Sequence, residues 1–72
     1  MAAITTTYKV DGVHSAHCQG VVTDVVGGLD FVSSVRVRIP EGLVTVTSAA
    51  EPDDARIAET VEDAGYDYVG RV

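Results

Sequence analysis

The sequence predicts a two-layer α/β sandwich: one four-stranded antiparallel sheet with two helices on one face. Three observations predict it. Three segments alternate apolar and polar residues with period two and a short fourth strand segment follows them, two segments between the strands show helical spacing, and a proline–glycine turn lies near the middle of the chain. The resulting order is β-α-β-β-α-β, two similar halves joined by a hairpin. Right-handed crossovers place both helices on the same side of the sheet, which is the ferredoxin-like arrangement.

The first half contains a strand and a helix. Residues 4–10 alternate apolar and polar positions and are rich in β-branched residues, as expected of a half-buried strand. A helix over residues 16–26 follows, and its apolar positions recur at helical spacing: Val21, Val22, Val25, Val26 and Leu29. Because valine is a mediocre helix former, this prediction depends on the period and not on propensity. The pair Gly27-Gly28 ends the helix.

The second half begins with a hairpin and ends with a helix and a strand. Residues 31–39 form a strand with Val35, Val37 and Ile39 on one face and Ser34, Arg36 and Arg38 on the other. Pro40-Glu41-Gly42 is typical of a turn, and residues 43–47 form the next strand. Pro52, Asp53 and Asp54 indicate a helix start with the proline in the first turn, where it is tolerated. Its apolar stripe is Ile57, Ala58, Val61 and Ala64; Gly65 ends it, and residues 66–72 form the last strand.

Length and composition restrict the function classes. Seventy-two residues predict a single domain over 1–72, with a core built mostly of valine and alanine. Eleven acidic and five basic side chains give a net charge of −6, which disfavours nucleic acid and anionic membranes. The sequence shows no signal-peptide pattern at its start and no run long enough for a membrane span. One cysteine forms no internal disulfide, so we expect a cytoplasmic protein with a reduced thiol.

The segment from Gly12 to Cys18 concentrates the chemistry. It holds the only cysteine and both histidines, His14 and His17, between the first strand and the first helix. Cys18 falls in the first turn of that helix, where free backbone N–H groups and the helix dipole should favour the thiolate, and a protonated His17 would add to this. Thiolate and imidazole suit Cu(I), or three of the four ligands of Zn(II). No nucleophile, base and orienting carboxylate form a catalytic set, so we expect no enzyme.

Nearly the whole chain resembles the heavy-metal-associated domain family, the small copper chaperones and the metal-binding modules of copper-transporting P-type ATPases. The family carries G-M-x-C-x-x-C between its first strand and first helix, where this chain has Gly12-Val13-His14-Ser15-Ala16-His17-Cys18. Further similar segments are Tyr8-Lys9-Val10, Val44-Thr45-Val46 and Glu62-Asp63-Ala64-Gly65-Tyr66. The resemblance implies a carrier that passes Cu(I) to a partner such as a metal-transporting P-type ATPase or another metal-handling protein.

The departures from the family pattern fall on the motif. Val13 replaces a methionine that packs beneath the loop, which should cost little. Ser15 replaces the first metal-binding cysteine, and a hydroxyl is too hard and too weakly acidic to take its place, so by resemblance only Cys18 carries over as a ligand. We expect one of three substitutes: His14 or His17 of the same chain, a metal-bridged homodimer that shares two Cys18 thiolates, or cysteines of a partner protein.

Several of these residues have plainer explanations. Cys18 could be a small buried hydrophobe, the histidines could be solvated, and Ser15 is most simply the N-cap of the first helix. Tyr66 lies, by resemblance, in the loop beside the metal loop, where it could cover the site or serve as a core aromatic. Arg36 and Arg38 could form a basic docking patch or a solvated sheet face. Two other functions therefore stay open: a degenerate protein-interaction module, and a carrier of zinc or another divalent metal, Ni(II) or Co(II).

Overall fold

The predicted fold class is confirmed. The computed structural model describes residues 3–39 and 41–72, so the predictions for Met1, Ala2 and Pro40 lie outside the described residues. Its elements are β1 (Ile4–Asp11), α1 (Ala16–Gly27), β2 (Val32–Arg38), β3 (Leu43–Ser48), α2 (Asp54–Asp63) and β4 (Asp67–Arg71). The strands form one antiparallel sheet in the order β2-β3-β1-β4. Within the described part of the chain, no helix has the length and hydrophobicity needed to cross a membrane.

Element boundaries differ from the sequence predictions by one or two residues. The clearest correction concerns α2, because Pro52 lies before the helix and not in its first turn. Asp53 is the N-cap, and its side chain accepts a hydrogen bond from the backbone N–H of Arg56 at 3.3 Å. The helix therefore begins at Asp54, since an aspartate that accepts from the third residue beyond it fixes the start of a helix. At the end of α1, Gly28 is the C-cap with φ −79°, as the glycine pair predicted.

The core lies between the helices and one face of the sheet. Val22 and Val26 of α1 and Ile57 and Val61 of α2 are completely buried. They pack over buried residues of the sheet, which are Tyr8, Val10, Val37, Val44 and Val46. Cys18 and Val25 of α1 flank this cluster and are only partly buried. Branched side chains with few rotamers fill most of this small core, so burial costs little side-chain entropy.

A polar cluster ties α2 to two strands of the sheet. The hydroxyl of Tyr8 donates a hydrogen bond to Asp54 Oδ1 at 2.6 Å, and Arg71 Nε donates to Asp54 Oδ2 at 2.7 Å. Arg71 also donates to Glu51 at 2.9 Å. Hydrogen bonds first from Arg71 and then from Tyr8 lower the pKa of the Asp54 carboxyl. Burial, followed by this contact with Asp54, raises the pKa of Tyr8. Both groups therefore hold their ordinary charge states at neutral pH.

We expect Asp54→Asn to lower the free energy of unfolding at pH 7 by about 1 kcal/mol, a modest value because Asp54 is partly exposed. Since the folded pKa of Asp54 is depressed, its stabilisation is present above the unfolded value near 3.9 and is lost as the pH falls through the folded pKa. The free energies of unfolding of the parent and of Asp54→Asn, measured with urea, should thus converge as the pH falls. Glu59→Gln, at an exposed position of α2, is the control. A difference in the free energy of unfolding between the parent and Asp54→Asn that does not change with pH would contradict the prediction.

Candidate metal centre

Residues 12–15 form the loop between β1 and α1. Gly12 has φ +99°, a backbone conformation that L-residues rarely adopt, and it turns the chain out of β1. Val13 is 1% exposed and anchors the loop in the core. A valine therefore packs beneath the loop where the family motif has methionine. The next two residues, His14 and Ser15, are exposed.

Ser15 is the N-cap of α1, as predicted. Its backbone is extended, with φ −135° and ψ 167°, and its hydroxyl oxygen accepts a hydrogen bond from the backbone N–H of Cys18 at 3.3 Å. This bond satisfies one of the free donors of the first turn. The residue that stands at the first cysteine position of the motif thus has a structural role.

The thiol of Cys18 lies in the first turn of α1 and is half-buried. Hydrogen bonding from the Ser15 hydroxyl, then from the Tyr66 hydroxyl and the backbone N–H of His14, lowers the pKa of Cys18 to about 7. This thiol therefore ionises more readily than an ordinary cysteine, and the thiolate is the form that binds metals. The direction agrees with the sequence prediction, and the causes are two hydroxyls together with backbone amides of the loop.

Tyr66 lies beside the loop because of the turn that ends α2. Gly65 has φ +99°, and the backbone N–H of Tyr66 donates to the carbonyl of Val61 at 3.1 Å. The ring then packs against Gly12, where an added Cβ would lie 3.4 Å from Tyr66 Cδ1. Hydrogen bonding to Cys18 raises the pKa of Tyr66, since the proton of its hydroxyl stabilises the thiolate. Tyr66 therefore contacts both the loop and the thiol.

The two histidines are placed differently from the thiol. His14 in the loop and His17 in the first turn of α1 are both exposed. Over residues 3–39 and 41–72, no group of three or more His, Cys, Asp and Glu side chains is positioned to hold a metal ion. Because successive residues of a helix point about 100° apart, His17 and Cys18 diverge. The structure thus brings Cys18 together with Ser15 and Tyr66, and it leaves both imidazoles in solvent.

One contributor to the site has no sequence signal. Gln19 donates a hydrogen bond from Nε2 to the carbonyl of Val37 at 2.6 Å and so ties the first turn of α1 to β2. A polar residue next to Cys18 in the sequence of α1 looks like an ordinary solvated position. The donor role of the Ser15 hydroxyl and that of the His14 backbone toward the thiol were missed for the same reason, since they depend on loop conformation.

Fold and site together define a ferredoxin-like domain that carries an activated thiol where its first strand meets its first helix. The profile of the heavy-metal-associated domain matches residues 7–67, and the chain belongs to this family. It is 40% identical over 62 residues to the copper chaperone CopZ of Bacillus subtilis (strain 168), covering 85% of this chain and 90% of that one.

Solved structures agree with this assignment. A CopZ metallochaperone superposes with a TM-score of 0.85 at 27% identity, covering 92% of this chain and 100% of that one. Oxidized MerP from Ralstonia metallidurans CH34 superposes with a TM-score of 0.84 at 26% identity, covering 96% and 97% of the two chains. The resemblance seen in the sequence is thereby confirmed.

Proposed function

We propose that this protein is a cytoplasmic metal carrier that binds Cu(I) through Cys18 and passes it to a metal-transporting P-type ATPase or another metal-handling protein. The observation that carries the proposal is the half-buried Cys18 thiol with its pKa of about 7. A thiolate is the soft donor that Cu(I) prefers. The copper chaperone named among the relatives supports the choice of metal.

The binding step exchanges a proton for the metal. Cu(I) takes the place of the thiol proton, which leaves to solvent, and the hydroxyls of Ser15 and Tyr66 lower the cost of that loss. Handover then proceeds by ligand exchange: a thiolate of the partner attacks the metal before Cys18 leaves. Such exchange needs an accessible, incompletely coordinated ion and no catalytic step.

A second donor is needed to hold the ion. We propose a histidine of the same chain, with His14 preferred because its backbone already contacts the thiol. A loop rearrangement would then bring its exposed imidazole to the metal. The competing arrangement is a homodimer in which two Cys18 thiolates share one ion. Native mass spectrometry with Cu(I) separates them, because the first gives one metal per chain and the second gives one metal per two chains.

We expect Cys18→Ala to lower Cu(I) affinity about a hundred-fold or more, since no other thiolate is present in the chain. The measurement is competition against a chromophoric Cu(I) chelator under anaerobic conditions. Asp24→Asn, at an exposed position of α1, is the matched control and should bind as the parent does. Affinity retained in Cys18→Ala would reject the carrier role.

The same titrations distinguish the other two functions. A carrier of Zn(II), Ni(II) or Co(II) would depend mainly on nitrogen donors, so His14→Ala would weaken divalent binding far more than Cu(I) binding. A degenerate interaction module would bind neither class of metal tightly. The N-cap role of Ser15 favours the interaction module as the second candidate, because it gives the replaced cysteine position a structural use that requires no metal.

A further inference from the structure

The face of the sheet opposite the helices has an unusual composition. Strand register places nine side chains there in three cross-strand rows: Ser34, Thr47 and Thr5; Arg36, Thr45 and Thr7; Arg38, Leu43 and Lys9. We call these nine residues the outer sheet face. Five of these nine residues carry hydroxyls and three are basic, while the acidic residues of the same face, Asp11 and Asp67, lie where β1 pairs with β4. A chain of net charge −6 thus keeps the outer sheet face, made by β2, β3 and the first part of β1, positive.

Among the described residues, two of the three cations on this face form no ion pair. Lys9 is 3.6 Å from Asp11 and donates to the carbonyl of Glu41, so its charge is partly compensated. Arg36 and Arg38 form no ion pair with any residue in the described ranges. Both side chains are exposed, at the β2 edge of the sheet. Among the residues that the structure describes, this face therefore offers two guanidinium groups without an ion-pair partner.

The shape of the surface fits an extended ligand. A shallow concavity of about 560 Å³ lies between the two arginines and the hydroxyls of Thr7, Ser34, Thr45 and Thr47. Arg36 and Arg38 are two residues apart on one strand, so their Cα atoms are about 6.6 Å apart. Alternate side chains of an extended peptide have the same spacing. The hydroxyls supply hydrogen-bond donors and acceptors for the backbone of a peptide that lies along the strands.

We propose that the outer sheet face binds an acidic segment of a partner protein in extended conformation, with alternate carboxylates paired to Arg36 and Arg38. Each guanidinium matches one carboxylate in a bidentate pair. Only two cations without an ion pair lie on the described part of this face, and the overall charge of −6 repels long polyanions, so a short acidic peptide fits better than nucleic acid. This surface lies on the side of the sheet away from α1, so it leaves Cys18 accessible.

The test is a fluorescence-anisotropy titration of the metal-free full chain with a labelled peptide of alternating glutamate and threonine. We expect saturable binding that weakens as salt is raised, and a loss of about ten-fold or more in Arg36→Gln/Arg38→Gln. Arg56→Gln, at an exposed position of α2, is the matched control and should stay within about two-fold of the parent. Amide chemical-shift changes should fall on β1, β2 and β3.

A charge-reversal variant distinguishes loss of the positive charges from a structural effect of the substitutions. Arg36→Glu/Arg38→Glu should lose the acidic peptide and bind a peptide of alternating lysine and threonine. Three results would each overturn the proposal: equal binding of a glutamine-for-glutamate peptide, equal losses in the Arg56 variant, or tighter binding of an oligonucleotide than of the peptide. Self-association through this face without peptide binding would also overturn it. Because no metal is present, Cys18→Ala should bind the peptide normally whether or not the carrier proposal holds.

Discussion

Ser15→Cys should raise the affinity for Cu(I) by about a hundred-fold or more, equivalent to about 2.8 kcal/mol of binding free energy. The substitution places a second thiol three residues before Cys18, at the start of α1, where the Ser15 hydroxyl already contacts that thiol. Two thiolates can then hold the ion within one chain, so neither an imidazole nor a second copy is required. If the parent binds as a metal-bridged dimer, the variant should bind as a monomer.

Competition with a Cu(I) chelator gives the affinity, and native mass spectrometry gives the number of chains per ion. The matched control is Ser33→Cys, which adds a thiol at an exposed position of β2 outside the loop. Since the cysteine is a poorer N-cap than serine, the metal-free Ser15 variant should lose about 1 kcal/mol of stability. An affinity no higher than that of the control would show that the loop does not bring the two sulfurs onto one ion.

The fold was predictable because its determinants are periodic and local. Alternation fixes the inward face of β1, and the spacing of Val22, Val26, Ile57 and Val61 fixes the inward faces of the helices. The ends of elements were less certain, because caps decide them. Whether α2 begins before or after Asp53 depends on whether the Asp53 carboxylate accepts a hydrogen bond from a backbone N–H of the first turn. Sequence period carries no information about that choice.

The candidate site was predictable in its position but not in its contacts. A cysteine and two histidines in one short segment pointed to the loop, and Ser15 was identified as an N-cap. The environment of the thiol comes from Ser15, Tyr66 and the backbone of His14, and these groups meet only after the turn that ends α2 has placed Tyr66. Proximity in sequence made the histidines look like ligands, while their side chains stay exposed.

Gly42→Ala should destabilise the fold by about 2–3 kcal/mol, a large part of the stability of so small a domain. Gly42 ends the β2–β3 turn with φ +72°, where a side chain is strained. An added Cβ would lie 2.5 Å from the backbone oxygen of Val10. Backbone cannot yield as a flexible side chain can, so the turn must move away from β1. The hydrogen bond from the Val10 N–H to the Gly42 carbonyl, 2.8 Å long, would weaken with it.

Gly20→Ala is the matched control, because the same substitution in α1 meets no atom within 4 Å. Alanine is the better helix former, so that variant should gain up to about 1 kcal/mol. Thermal unfolding followed by circular dichroism should therefore show opposite shifts, with the Gly42 variant melting roughly 10–20 °C below the parent. Equal melting temperatures for Gly42→Ala and the parent would mean that the turn relaxes freely, and that its approach to β1 contributes nothing to the stability of the central strand that carries the metal loop.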